Sequence, residues 1–148
     1  MSWFKKFIDA TKLVASWSKD RSRKVGAIIV NDDNRIIATG YNGMPIGVND
    51  NVDLRHERPI KYLYTEHAER NAIYSAALSG ISTKGATMVL MWFPCADCAR
   101  GIIQSGIKEV KCKEPDVNDP IWGQSFRVSI EMLTEAGVKI SYYEEDSD

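Results

Sequence analysis

The chain is poor in cysteine, in histidine and in net charge, and each shortage closes off a class of protein. Three cysteines in 148 residues are too few for a disulfide framework and fit a reducing compartment. No stretch approaches the roughly 20 apolar residues of a membrane helix, and no signal-peptide pattern opens the sequence, so the expected location is cytoplasmic. A formal net charge of −1 argues against a protein that grips polynucleotide phosphates over a long footprint. Repeats and low-complexity segments are missing, apart from the acidic terminus Glu144-Glu145-Asp146-Ser147-Asp148, which reads as a solvated, frayed end. With 44% hydrophobic and 26% charged residues the composition is that of a folded domain, and the length suits a single one spanning residues 1–148.

The few metal-seeking residues are concentrated. One of the two histidines and two of the three cysteines fall in the segments His67-Ala68-Glu69 and Pro94-Cys95-Ala96-Asp97-Cys98. One imidazole and two thiolates suit zinc, and a catalytic zinc site keeps three protein ligands and leaves the fourth position to water. Cys95 and Cys98 are spaced i and i+3, so a single helical turn brings both sulfurs to one ion. Pro94 suits the first turn of that helix, where a missing N–H has no partner to lose. The positive end of the helix dipole favours the ionised thiols. His67 and Glu69 are i and i+2 and share no helix flank, so the metal has to lie over the start of their helix. The spacing therefore predicts two helices aiming their N-termini at one ion, with Glu69 carrying protons rather than ligating. The signature H-x-E…P-C-x-x-C is that of zinc-dependent nucleobase deaminases.

A structural zinc site is the plain alternative, and it would close with a fourth ligand. The remaining candidates are His56, in the charged stretch Asp53-Leu54-Arg55-His56-Glu57-Arg58, and Cys112, at the end of an apolar run. His56 reads as a loop residue and Cys112 as a buried free thiol. A zinc-stabilised binding domain without turnover would also leave Glu69 with no purpose.

Periodicity places the elements. A first helix, capped by Ser2, is expected to run to about residue 18, with Trp3, Phe4, Phe7, Ile8, Val14 and Trp17 at helical spacing. A basic loop at 19–24 follows, then a hairpin of strands at 25–30 and 35–39 around the turn Asn31-Asp32-Asp33-Asn34. A glycine-rich loop covers 40–47, and irregular chain is expected to about 65. Helices at about 67–79, 95–105 and 125–135 alternate with strands at about 87–92, 109–112 and 139–143. This alternation indicates βαβ units, a mixed sheet covered on both faces and an α/β fold. Trp122 reads as a core aromatic in preference to a lid over a ligand.

Taken together, the segments Lys24-Val25-Gly26-Ala27-Ile28-Ile29-Val30, Gly40-Tyr41-Asn42-Gly43-Met44-Pro45, His67-Ala68-Glu69-Arg70-Asn71-Ala72-Ile73, Phe93-Pro94-Cys95-Ala96-Asp97-Cys98-Ala99 and Ile102-Ile103-Gln104-Ser105-Gly106-Ile107 resemble the deoxycytidylate (dCMP) deaminases of the cytidine deaminase superfamily. The resemblance covers nearly the whole chain. It implies a three-layer α/β/α fold on a five-stranded mixed sheet, and zinc-dependent deamination of dCMP to dUMP and ammonia. It implies one catalytic Zn2+ on His67, Cys95 and Cys98, with Glu69 as the catalytic proton shuttle.

For substrate, the resemblance implies contacts from Asn42 to the sugar hydroxyl and from the Ala68 N–H and the Phe93 carbonyl to the pyrimidine edge, beside Pro94. Arg23 is the candidate for the 5′-phosphate within the cluster Arg21, Arg23 and Lys24, and Asn71 either meets substrate or satisfies the neighbouring loop. Family members are commonly homohexamers activated by dCTP and inhibited by dTTP with Mg2+, at a site that here would use Gly40, Tyr41, Asn42, Gly43 and Lys24. A host's cytoplasm is implied if a phage encodes the chain. A second, structural zinc found in some members is expected to be missing, since only His56 stands in the region that would build it. Deaminases acting on adenosine in tRNA share the zinc motif, but a more basic surface is expected of them.

Overall fold

The computed structural model describes residues 2–144, so the acidic terminus beyond Glu144 lies outside the described residues. Helix α1 (Trp3–Ala15) opens with the Ser2 side chain accepting the Lys5 N–H at 3.2 Å. It stops earlier than its apolar spacing suggests, and Trp17 lies beyond its end, half-exposed. The hairpin β1 (Gly26–Val30) and β2 (Ile36–Tyr41) turns at Asn31, whose Oδ1 accepts the N–H groups of Asp33 and Arg35, while Asn34 takes a positive φ of 60°. The segment expected to be irregular holds a 3-10 turn (Asp53–His56) and a short helix α2 (Lys61–Tyr64). Both are too short to leave a periodic signal. Next come α3 (Ala68–Leu78), β3 (Thr87–Leu90), α4 (Ala96–Gln104), β4 (Glu109–Lys113), α5 (Gly123–Glu135) and β5 (Lys139–Tyr143).

The five strands form one mixed sheet in the order β2-β1-β3-β4-β5. β1 runs antiparallel to β2 and β3, whereas β3, β4 and β5 are parallel and joined by α4 and α5. The continuous apolar run of β1 is explained by burial on both faces. Its Ala27 and Ile29 join a core with Ala72, Met88, Leu90, Ile102 and Leu133 on the side of α3, α4 and α5. Its Ile28 and Val30 join Phe7, Ile8, Val14 and Val89 under α1. The architecture is the expected three-layer sandwich.

Two glycines allow the helices to lie this close. A Cβ on Gly26 would meet the Thr11 carbonyl oxygen of α1 at 2.2 Å, and one on Gly40 would meet the Ala68 carbonyl oxygen and Ala72 nitrogen of α3, each at 2.3 Å. Gly40→Ala is therefore expected to destabilise the chain by about 3 kcal/mol, because the obstruction is backbone that cannot rotate aside. A chemical denaturation midpoint equal to wild type would show that α3 can shift.

Candidate active site

His67 is the N-cap residue of α3, and Cys95 is the N-cap of α4 with Cys98 in its first turn. Pro94 thus sits just outside the helix rather than in its first turn, and the i, i+3 relation of the sulfurs survives the one-residue shift. His67 Nδ1 lies 3.5 Å from Cys95 Sγ and 3.4 Å from Cys98 Sγ. All three ligand atoms fall within 4.8 Å of one another, and among the described residues no other His, Cys, Asp or Glu group of this kind occurs. Tetrahedral bonds of 2.0–2.3 Å to zinc require ligand atoms about 3.5 Å apart, so the donor set fits this ion without rearrangement.

The charge state of the donors agrees. A hydrogen bond from the Cys98 thiol, aided by the His67 imidazole, holds Cys95 down to about 4 against the cost of its burial. Cys98, donating to that thiolate and fully buried, is pushed far up. The pair keeps one proton and one negative charge, the arrangement a cation displaces. Glu69, in the first turn of α3, is 8% exposed, and burial raises its carboxyl above the ordinary range.

Residues the motif does not name hold this centre in place. Glu66 Oε1 accepts the His67 N–H at 3.0 Å and pairs with Arg70 at 2.7 Å, which fixes the start of α3. Ser125 of α5 accepts the Ala96 N–H at 2.8 Å, which fixes the start of α4. Neither residue stands out in the sequence: Glu66 lies outside the motif, and Ser125, 29 residues from Ala96, carries no local signal.

The outer residues separate into groups. Asn42 is buried, with Oδ1 accepting the Val25 N–H and Nδ2 donating to the Arg23 carbonyl, each at 2.8 Å. Asp20 takes the N–H groups of Ser22 and Arg23 on the other side and pairs with Lys61 at 3.0 Å. Arg23 therefore has both backbone polar groups fixed although its side chain is exposed. Asn71 donates to the Tyr41 carbonyl at 2.9 Å and so tethers β2 to α3. Phe93 and Pro94 are buried, the Phe93 ring packing edge-on against Phe126. Tyr41 and Gly43 line a separate cleft with Trp17, Lys19, Asp50 and His56, whereas Gly40 lies under α3 and Lys24 is exposed outside that cleft. Trp122, expected in the core, is 41% exposed at the start of α5. The hydrogen bonds from the Ile121 and Trp122 amides to Asp119 turn the chain there and leave the ring outside.

Three donors spaced to suit zinc, with a buried carboxylate beside them at the carboxyl ends of parallel strands in an α/β/α sandwich, are the arrangement of a hydrolytic enzyme. Residues 1–114 match the model of the cytidine and deoxycytidylate deaminase zinc-binding region, and the chain belongs to that family. It is 44% identical over 142 residues to an uncharacterized deaminase in the luxG 3′ region of Aliivibrio fischeri, covering 95% of this chain and 92% of that protein. It is 43% identical over 115 residues to the deoxycytidylate deaminase of Homo sapiens, covering 74% of this chain, which spans 64% of the human protein's length. The crystal structure of dCMP deaminase from cyanophage S-TIM5 in complex with dCMP and dUMP superimposes with a TM-score of 0.75 at 27% identity, covering 94% of this chain and 95% of that one.

Proposed function

We propose that the chain, acting as one domain over residues 1–148, hydrolyses dCMP to dUMP and ammonia. The observation that carries this reading is the convergence of His67, Cys95 and Cys98 beside the buried Glu69. Zinc held by those three would act as a Lewis acid and make water a nucleophile at neutral pH, its pKa lowered from about 16 to about 7. Glu69, its proton affinity raised by burial, takes the proton from the attacking water and delivers it to N3 of the pyrimidine as C4 accepts the oxygen. It then takes the remaining proton from the new C4 hydroxyl and passes it to the 4-amino group, which leaves as ammonia as the C4 carbonyl forms.

As the first residue of α3, Ala68 has an N–H with no intrahelical acceptor, available to the pyrimidine edge. The Phe93 carbonyl accepts from the 4-amino group and so selects cytosine over uracil. The second amide hydrogen of Asn42 is assigned to the sugar hydroxyl, and Arg23 to the 5′-phosphate. Ammonia release from dCMP, CMP, deoxycytidine and dCTP, measured side by side, tests this. Release from dCMP should be fastest, and indifference to the phosphate would sink the nucleotide reading. A preference for adenosine in tRNA would install the alternative.

We further propose a homohexamer in which dCTP with Mg2+ activates and dTTP with Mg2+ inhibits, through the cleft that Tyr41 and Gly43 line. Gly43 exchanges both of its backbone hydrogen bonds with Glu66, the residue before His67, and Asn42 between Tyr41 and Gly43 reaches the Arg23 loop, so the segment that lines the cleft is tied to both sides of the active site. Saturation by dCMP is expected to be sigmoidal alone and hyperbolic with dCTP, and dCMP and dTTP should weaken one another's binding by the same factor. Hyperbolic kinetics unchanged by dCTP, together with no calorimetric dTTP binding outside the active site, would leave an unregulated enzyme.

A further inference from the structure

Two cations meet on the indole of Trp92. Arg23 Cζ lies 5.1 Å and Lys113 Nζ 5.0 Å from the centroid of the Trp92 ring. The three residues come from separate parts of the chain. Arg23 precedes β1, Trp92 stands three residues before Cys95 on the link from β3 to α4, and Lys113 closes β4. The parallel register that pairs Val89 with Lys111 carries Lys113 to the end of the sheet where β3 feeds the Phe93–Cys95 segment. Lys111, two residues earlier, lies instead over the Phe4 ring of α1, so Lys113 is the lysine of β4 that reaches this end.

Among the described residues neither Arg23 nor Lys113 has a carboxylate within ion-pair distance. Asp119 feels the Arg23 charge, but its Oδ1 accepts the N–H groups of Ile121 and Trp122, both at 2.8 Å. An indole face attracts each cation without neutralising it. Two positive charges are thus gathered at one ring, and an anion within reach of both is favoured.

We propose that Trp92 is a platform presenting Arg23 and Lys113 together as a two-cation clamp for the 5′-phosphate of the substrate, with Lys113 a specificity-determining residue. This rests on the nucleotide-deaminase reading above. Arg supplies a planar fork and Lys a mobile point charge, two complementary ways to hold one phosphate dianion. The Trp92 ring, 39% exposed, gathers both side chains at one place on the surface beside the Phe93–Cys95 segment.

The test is kinetic and calorimetric, on Lys113→Gln, Lys113→Glu and Arg23→Ala. Lys113→Gln should raise the Michaelis constant for dCMP about tenfold, the scale of one charged hydrogen bond. Lys113→Glu should raise it further, and Arg23→Ala in the same direction. In both Lys113 variants kcat should stay within about twofold, and both constants for deoxycytidine should be those of wild type. Added salt should weaken dCMP more in wild type than in Lys113→Gln. Binding of dUMP, deoxyuridine and inorganic phosphate, measured without turnover, separates the two ideas. If wild type deaminates dCMP and Lys113→Gln binds dUMP as tightly as wild type, the clamp is wrong and the deaminase reading stands. Equal losses for dCMP and deoxycytidine also overturn the clamp. If wild type deaminates neither substrate but Lys113→Gln loses affinity for phosphate, the clamp stands and the deaminase reading falls.

Discussion

Glu69→Gln is expected to abolish measurable turnover while one equivalent of zinc per chain stays bound. The amide matches the carboxyl in shape and cannot ferry a proton, so the loss should reach the roughly 10²–10⁴-fold span of general acid–base catalysis, or exceed it because the same group serves at two steps. Metal retention follows from the proposed ligand set, since among the described residues the clustered donor atoms belong to His67, Cys95 and Cys98 and do not include Glu69. Removing a buried carboxyl held above its ordinary range should also leave the fold intact, because no buried negative charge is stranded. Elemental analysis and an ammonia assay on one preparation decide the matter. Near-wild-type turnover, or loss of zinc, would show that Glu69 has been given the wrong role.

The opposite pattern is expected of Cys98→Ala, where metal, activity and stability should go together. Cys98 has no exposed surface and anchors the first turn of α4, so its sulfur is both ligand and core contact. Without it two donors remain, too few to retain the ion through dialysis. Binding free energy that had stabilised the folded state is then lost with the ion. A loss of roughly 3 kcal/mol or more, or about 10 °C in the thermal midpoint for a chain of this length, is the expected scale. Zinc retained at one equivalent after dialysis would remove Cys98 from the ligand set. A normal midpoint in the zinc-free variant would mean that the metal contributes nothing to folding.

These two residues were legible in the sequence because their chemistry is local. Ligand spacing within one turn is fixed by helix geometry, so Cys95, Cys98 and the offset of His67 from Glu69 could be read without coordinates. β1 was equally plain, since a five-residue run buried throughout belongs to a strand covered on both faces. What escaped is long-range or short-period. The Asp20–Lys61 pair joins residues 41 positions apart, and Ser125 acts from another helix. α2 spans 4 residues, barely one turn, and leaves no repeat to detect. Trp122 was misplaced because its size argued for the core, while the turn at Asp119 set its direction. Gly40 looked like part of a ligand-binding loop and proves to be where α3 rests on β2.

The hydrogen bonds around Arg23 have one more consequence. Asp20 and Asn42 hold its amide and its carbonyl from opposite sides, and Lys61 locks Asp20 in turn. Most surface arginines enter a complex from a wandering loop, and the backbone freedom they surrender weakens the complex. Here that freedom disappears when the chain folds, before any ligand arrives. What is left to order on contact is a handful of side-chain torsions, so whatever anion meets Arg23 finds its partner already standing in place.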